Sequence, residues 1–350
     1  MGELKFIPID REQNYIAWLK YRDSGVGASD GPILLGLNPY KCNLELFHEK
    51  VEGIVNFNRH KLDLWDGLEQ EPVTTKMFEY YGGTPESISK NFESNNKVRK
   101  TKGVKGYYLN SDYPNLYVSL DRIIEQYGTF KDMPTEGALE LKNTKNSVLS
   151  KYENRIVPSN LVQNLIQINV MEFSFGALAY RVESDYSHGK TYEEHVLTEP
   201  QNYRGVFDNV IEQLNKFWVN VEEARKIYTE ILHCRHEMKF RKAEALMKEF
   251  SALEPPAQNT DAYLSYYTER YRNRRVALKE IKGTEEQYLW GKQINDLGRE
   301  IDALQDKQRR NRIQLIQSIG DAEIVKFDGK DSISYKADVN GQRKLLIKIK

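Results

Sequence analysis

Residues 116–124 read L-Y-V-S-L-D-R-I-I, and residues 138–142 read A-L-E-L-K. Both runs are rich enough in β-branched, aromatic and aliphatic side chains to be strands. The stretch between them holds Tyr127-Gly128 and Pro134, so the pair predicts a β-hairpin. Side chains two apart on a strand share a face. Glu140 and Lys142 therefore point one way and Leu139 and Leu141 the other, with Asp121 on the first strand. Two carboxylates converging beside an ammonium suit a hard divalent cation and a polarised water. The Glu-x-Lys triplet says little alone, because it recurs at Glu3/Lys5, Glu237/Lys239 and Glu280/Lys282 in a chain with 29% charged residues. Only the triplet at 140 sits in an apolar β context with an aspartate on the strand before it.

Upstream, residues 9–21 show a helical apolar side of Ile16, Trp18 and Leu19. The loop R-D-S-G-V-G-A-S-D-G (22–31) then leads into P-I-L-L-G-L. A small-residue loop ahead of a helix, with Ser29 or Asp30 as cap, leaves backbone N–H groups free for a phosphate, and Arg22 would supply the bidentate charge. Residues 43–52 predict a helix capped by Asn43. A second spans about 61–81 and ends at Gly82-Gly83, with a kink or break expected at Pro72. Glu71 directly precedes that proline, where a carboxylate can be aimed at the strand pair; Glu69 is its local competitor. Lys97, Arg99, Lys100, Lys102 and Lys105 follow with no acid among them, a candidate phosphate-contacting loop.

Downstream, Leu161, Leu165, Ile168 and Met171 recur at helical spacing, and Gln163 and Gln167 share a face of that helix. A strand over A-L-A-Y-R-V-E-S (177–184) completes an α/β core. Beyond it the texture becomes helical and charged: a long stretch over 205–254, a helix over about 261–281 and another over about 284–318. The last carries Ile294, Leu297, Ile301 and Leu304 at a/d spacing, a helical hairpin or oligomer contact. E-I-V-K-F, an Asp328-Gly329 turn, I-S-Y-K and L-L-I-K-I-K close the chain as a small β-element. The expected division is an α/β core over 1–204, a helical extension over 205–322 and the β-element over 323–350.

The 350 residues, 39% hydrophobic, can bury a sizeable core, and zero formal charge means that nucleic acid must be met by local patches. Two distant cysteines, Cys42 and Cys234, exclude a four-cysteine zinc ribbon or iron–sulfur cluster and suit a reducing compartment. No apolar run reaches membrane-spanning length and no signal-like segment opens the sequence, so a cytoplasmic protein is expected.

Five pieces occur in the order of a known family: G-V-G-A-S-D with L-L-G-L-N-P-Y-K (25–41), G-L-E-Q-E-P-V (67–73), L-Y-V-S-L-D (116–121), L-E-L-K (139–142) and Q-I-N-V-M-E-F-S-F-G (167–176). Together they resemble the YqaJ-type viral recombinase branch of the lambda-exonuclease group, within the restriction-endonuclease-like nucleases that carry an Asp…Glu-x-Lys signature. The resemblance covers about residues 10–190. It implies a central mixed sheet flanked by helices and a Mg2+-dependent deoxyribonuclease, with Mn2+ as a substitute. Asp121 and Glu140 would hold the ion with the Leu141 carbonyl, Glu71 would bear on a second ion, and Lys142 would orient and help deprotonate the attacking water. Arg22 and Ser29 would hold a terminal 5′-phosphate. The family's helical glutamine maps to Gln167 by its spacing to Gly176, or to Gln163 by its distance from Pro158. The aromatic usual three residues before it is absent in either case, Asn164 or Asn160 standing there. The implied activity is 5′-to-3′ resection of linear duplex ends, leaving 3′ overhangs for a single-strand annealing protein, from a homo-oligomer such as a trimeric ring. The alternatives are an internally cutting nuclease and a non-catalytic DNA-binding protein on the same fold.

Overall fold

Leu4–Pro8 forms strand β1, and Asn14 opens helix α1 (Tyr15–Arg22) by accepting from the Ala17 N–H at 3.0 Å. The helix starts later than its apolar spacing implies, because Asp10 accepts from the Glu12 N–H and holds a turn there. The computed structural model describes residues 2–53, 61–127, 136–185, 189–197, 199–272, 282–320, 322–327, 331–337 and 343–349. Gly128, Pro134 and the Asp328-Gly329 turn lie outside them, as does the whole of 273–281.

The two-residue strand β2 (Val26–Gly27), the single-turn α2 (Gly31–Leu34), α3 (Asn43–Glu52), α4 (Lys61–Tyr80) and α5 (Pro85–Glu93) follow. Cys42, not Asn43, caps α3. Its Sγ accepts from the Glu45 N–H, and the Asn43 amide is taken by the Pro256 carbonyl. Helix α4 continues through Pro72.

Next come β3 (Lys100–Gly103), β4 (Gly106–Asn110), β5 (Leu116–Val118), β6 (Arg122–Gln126) and β7 (Gly137–Lys145). The stretch 116–124 is thus two strands. β5 belongs to a sheet of order β1-β4-β5-β2, whereas β6 belongs to a five-stranded sheet, and Asp121 sits where the chain passes from one to the other. The expected hairpin is β6–β7, antiparallel with Arg122 opposite Leu139.

A short α6 (Asn146–Leu149) leads to α7 (Pro158–Val170), β8 (Gly176–Glu183) and β9 (Lys190–Leu197), which complete the mixed sheet β3-β6-β7-β8-β9. β7 and β8 are parallel, Glu140 beside Leu178, so a crossover is obligatory and α7 supplies it. Alternation along β7 follows the sequence reading. Leu139 and Leu141 pack with Phe78 of α4 and Tyr192 of β9, while Ala138 joins Leu165 and Ile168 of α7 in the main core.

Helices α8 (Arg204–His236) and α9 (Phe240–Ala252) are separated by a turn with Met238 in the left-handed region, and α10 spans Asp261–Arg272. Phe207, Val210, Leu214, Phe217, Trp218 and Val221 of α8 recur at helical spacing and enter the same core as α7. One compact unit accordingly runs from Met1 to Arg274, past the boundary expected at 204. An amphipathic face shows that a helix packs, but not against what.

The second unit begins at Arg275. It holds α11 (Glu285–Ile319), opened by a capping box between Thr284 and Gln287, and an antiparallel sheet of β10 (Ile324–Lys326), β11 (Ser332–Ala337) and β12 (Arg343–Lys348). Among the described residues no helix is long and apolar enough to cross a membrane.

Candidate functional site

Pairing between β6 and β7 stops at Leu139, so the edge of β7 beyond it is open towards the chain entering β6. Asp121 fills that gap, its Oδ2 accepting from the Leu141 N–H at 2.8 Å. N–H and C=O of one strand residue leave by the same edge, so the Leu141 carbonyl is aimed at the side where Asp121 lies. The next residue back, Glu140, is 1% exposed and points to the α7 face. There Lys142 Nζ and Gln163 Nε2 donate to its Oε1 at 2.5 and 2.7 Å, and Gln167 Nε2 donates to its Oε2 at 2.7 Å. Gln167 Nε2 also reaches the Ser119 carbonyl at 3.2 Å, which ties Glu140 to the segment that carries Asp121. The choice between the two glutamines dissolves: helical spacing puts both on one face, and each grips a different oxygen of Glu140.

The pocket carries excess negative charge. Burial, then the Glu140 carboxylate, push the Asp121 carboxyl well above the usual carboxylate range, with Lys142 and the Leu141 N–H pulling the other way. Burial opposes the Lys142 charge, but Glu140 and Asp121 outweigh it and raise Lys142 above an ordinary lysine. Glu71 stands near enough to feel both Glu140 and Lys142. Burial raises its carboxyl and the Arg11 guanidinium moderates the rise. Glu69, the local competitor, is exposed. Thr74, one turn after Glu71, fastens α4 to β7 by donating to Asn143 Oδ1 at 3.1 Å.

Among the described residues no three His, Cys, Asp or Glu side chains gather as a metal-binding cluster. The pocket offers two carboxylates and a main-chain carbonyl instead, an all-oxygen set with unneutralised charge. That donor chemistry fits a hard cation with waters completing its shell.

The close approach of α7 to β8 depends on Gly176. A Cβ there would meet Asn164 Oδ1 and Ile168 Cδ1, each at 2.6 Å. Gly176→Ala is expected to cost about 1–3 kcal/mol by overpacking, measured as a lower denaturation midpoint.

A second polar cluster surrounds Asp30. This residue holds the cap position of α2, but its side chain turns back to accept from the Gly27 N–H at 2.8 Å. Lys50 Nζ lies 3.2 Å from Asp30 Oδ2 with both side chains buried, whereas Arg22 is 4.0 Å from Oδ1 and a third exposed. Burial, the largest influence, works against the Asp30 charge, yet Lys50 and Arg22 hold its carboxyl below the usual range. Lys50 therefore neutralises Asp30, and the Arg22 guanidinium, 4.9 Å from the Trp18 ring, is the charge turned outward. Ser29 is half-buried in the same loop. Lys50 escaped the sequence reading; the signal available was a lysine placed within the buried run Leu46, Phe47 and Val51.

The basic run 97–105 reads differently in three dimensions. Arg99 is 6% exposed, ion-paired with Glu194 and stacked over Phe78, Tyr81 and Tyr127 at 4.6, 5.1 and 4.4 Å. It is a core cation and is removed from the candidate DNA contacts. Lys97 pairs with Glu79 and Lys105 with Asp10, at 2.7 and 2.8 Å. Lys100 and Lys102 are exposed on β3.

Residues 17–172 match the model of the YqaJ-like viral recombinase domain. Over 150 residues the chain is 29% identical to the uncharacterized protein YqaJ of Bacillus subtilis (strain 168), an alignment spanning 41% of this chain and 38% of that protein. Among solved structures it is similar to the alkaline exonuclease LHK-Exo of Laribacter hongkongensis, with a TM-score of 0.41, 13% identity and coverage of 61% of this chain and 98% of that one. LHK-Exo in complex with dAMP gives a TM-score of 0.40 at 14% identity, with the same coverage.

Proposed function

We propose, from the match of residues 17–172 to the YqaJ-like viral recombinase domain, that the chain is a Mg2+-dependent deoxyribonuclease resecting linear duplex DNA in the 5′-to-3′ direction. The observation that carries this reading is the pocket in which Gln167 bridges Glu140 and the chain leading to Asp121. Asp121, Glu140 and the Leu141 carbonyl would hold the ion, with Mn2+ as a substitute, and Glu71 would bear on a second. When bound, such ions supply charge neutralisation at the scissile phosphate and activation of a water. Lys142, its ammonium favoured by both carboxylates, donates to the water or to a phosphate oxygen and so orients the attack. Gln163 and Gln167 keep the Glu140 carboxylate from swinging onto Lys142 alone.

Arg22, with Ser29 beside it, would seat a terminal 5′-phosphate, and Lys100 and Lys102 would follow the backbone electrostatically. An end held there makes the reaction start from termini. The product would be a 3′ overhang, the substrate of a single-strand annealing protein. The exposed stripe Trp290, Ile294, Leu297, Ile301 and Leu304 on α11 supports self-association of the chain.

Digestion of 5′-phosphorylated, 5′-hydroxyl and closed circular duplex, with Mg2+ or with chelator, tests the reading. Phosphorylated linear duplex is expected to be shortened from its 5′ ends only with Mg2+, and circles to survive. Equal cutting of circles would replace the exonuclease with an internally cutting nuclease. Arg22→Ala is expected to lower the preference for phosphorylated over hydroxyl ends roughly 10-fold or more, the scale of a lost charge-assisted hydrogen bond, while hydrolysis persists.

A further inference from the structure

Asn164 lies three residues before Gln167 on α7, and both are fully buried. Its Nδ2 donates to Gln167 Oε1 at 3.2 Å, while its own Oδ1 is buried with no hydrogen-bond partner among the described residues, packed over Gly176 where a Cβ would come within 2.6 Å. A buried unpaired amide oxygen is destabilising, so an apolar side chain of the same shape would serve the fold at least as well. What the asparagine does and a leucine would not is settle which end of Gln167 faces Glu140. A glutamine amide has a donor end and an acceptor end of nearly equal shape. With Oε1 taken by Asn164, Nε2 is left to face Glu140 Oε2 and the Ser119 carbonyl. Turned over, the amide would set its oxygen against the carboxylate.

We propose that Asn164 is a positioning residue that locks the Gln167 amide with its N–H end on Glu140, and so fixes the carboxylate orientation that a divalent cation requires. The proposal rests on the nuclease reading for its consequence in turnover, but not for its consequence in structure or ion binding. Polar groups behind a ligand typically change metal affinity or activity by about 10–100-fold.

The test compares the full-length wild type with Asn164→Leu and Asn164→Asp by three readouts: denaturation midpoint without metal, calorimetric Mn2+ titration, and steady-state digestion of phosphorylated linear duplex. Asn164→Leu is expected to keep or raise the midpoint, to weaken Mn2+ binding about 10-fold or more, and to lower kcat with KM for DNA ends unchanged. Asn164→Asp presents only acceptors when ionised and is expected to turn the Gln167 amide over, with a loss of Mn2+ affinity at least as large. Wild-type Mn2+ affinity and kcat in both variants would overturn the proposal while leaving the nuclease intact. Weakened Mn2+ binding in both variants, beside a wild type that hydrolyses no DNA, would uphold the amide lock and remove the nuclease. Should the leucine unfold the chain, the aspartate variant decides alone, since it preserves shape.

Discussion

Asp121→Asn is expected to lower Mg2+-dependent hydrolysis by roughly 10³-fold or more, as loss of one member of an interdependent catalytic set does, while the protein folds and still binds duplex. The asparagine keeps an acceptor for the Leu141 N–H and removes only the charge. The effect on stability has the opposite sign to the effect on turnover. The folded Asp121 carboxyl binds its proton more tightly than an unfolded one, because burial and then Glu140 disfavour its charge. Its ionisation therefore works against folding above its raised folded value. That penalty shrinks as pH falls towards the ordinary carboxylate range and is absent below it. Without metal at neutral pH, Asp121→Asn should melt at or above the wild-type temperature, and the gap should close on acidification. A variant that loses both stability and activity would show Asp121 to be a structural acid. Single-turnover digestion and metal-free thermal melts read the two halves separately.

Arg99→Ala is expected to destabilise the protein by about 3–5 kcal/mol, the cost of leaving a buried carboxylate without its cation. Among the described residues Glu194 would lose Arg99 and keep the hydroxyls of Tyr127 and Tyr192, and three aromatic rings would lose the guanidinium between them. DNA affinity per folded molecule should stay unchanged. Lys102→Ala should do the reverse, with stability constant and the salt dependence of DNA binding shallower. Urea denaturation paired with binding titrations at two salt concentrations distinguishes the pair; a DNA defect in Arg99→Ala at full stability would restore the run as a phosphate-contacting loop.

These two residues mark where sequence reading carries and where it stops. Strand alternation is local, so Glu140 and Lys142 on one face and Leu139 and Leu141 on the other were legible from five residues. Helical spacing made α7 legible, and with it the shared face of Gln163 and Gln167. An ion pair is not local. The acid that claims Arg99 lies 95 residues away on β9, a strand with no strong apolar signal of its own. The same holds for Lys50 and Asp30, brought together from α3 and the α2 loop. The break at Ser119–Asp121 was hidden because both halves are β-rich; only the registers with two different sheets separate β5 from β6. That break moves Asp121 from the middle of a strand to the open edge of β7. α8 was legible as a helix, but its place in the core depends on partners far along the chain.

The central claim is that Asp121, Glu140 and the Leu141 carbonyl form a site for a divalent cation beside Lys142. Anomalous diffraction from crystals of the full chain soaked in Mn2+ addresses it most directly. The expected result is an anomalous peak within coordination distance of both carboxylates and that carbonyl, lost in Asp121→Asn. A peak elsewhere with this pocket dry of metal, or the same peak in the variant, would contradict it.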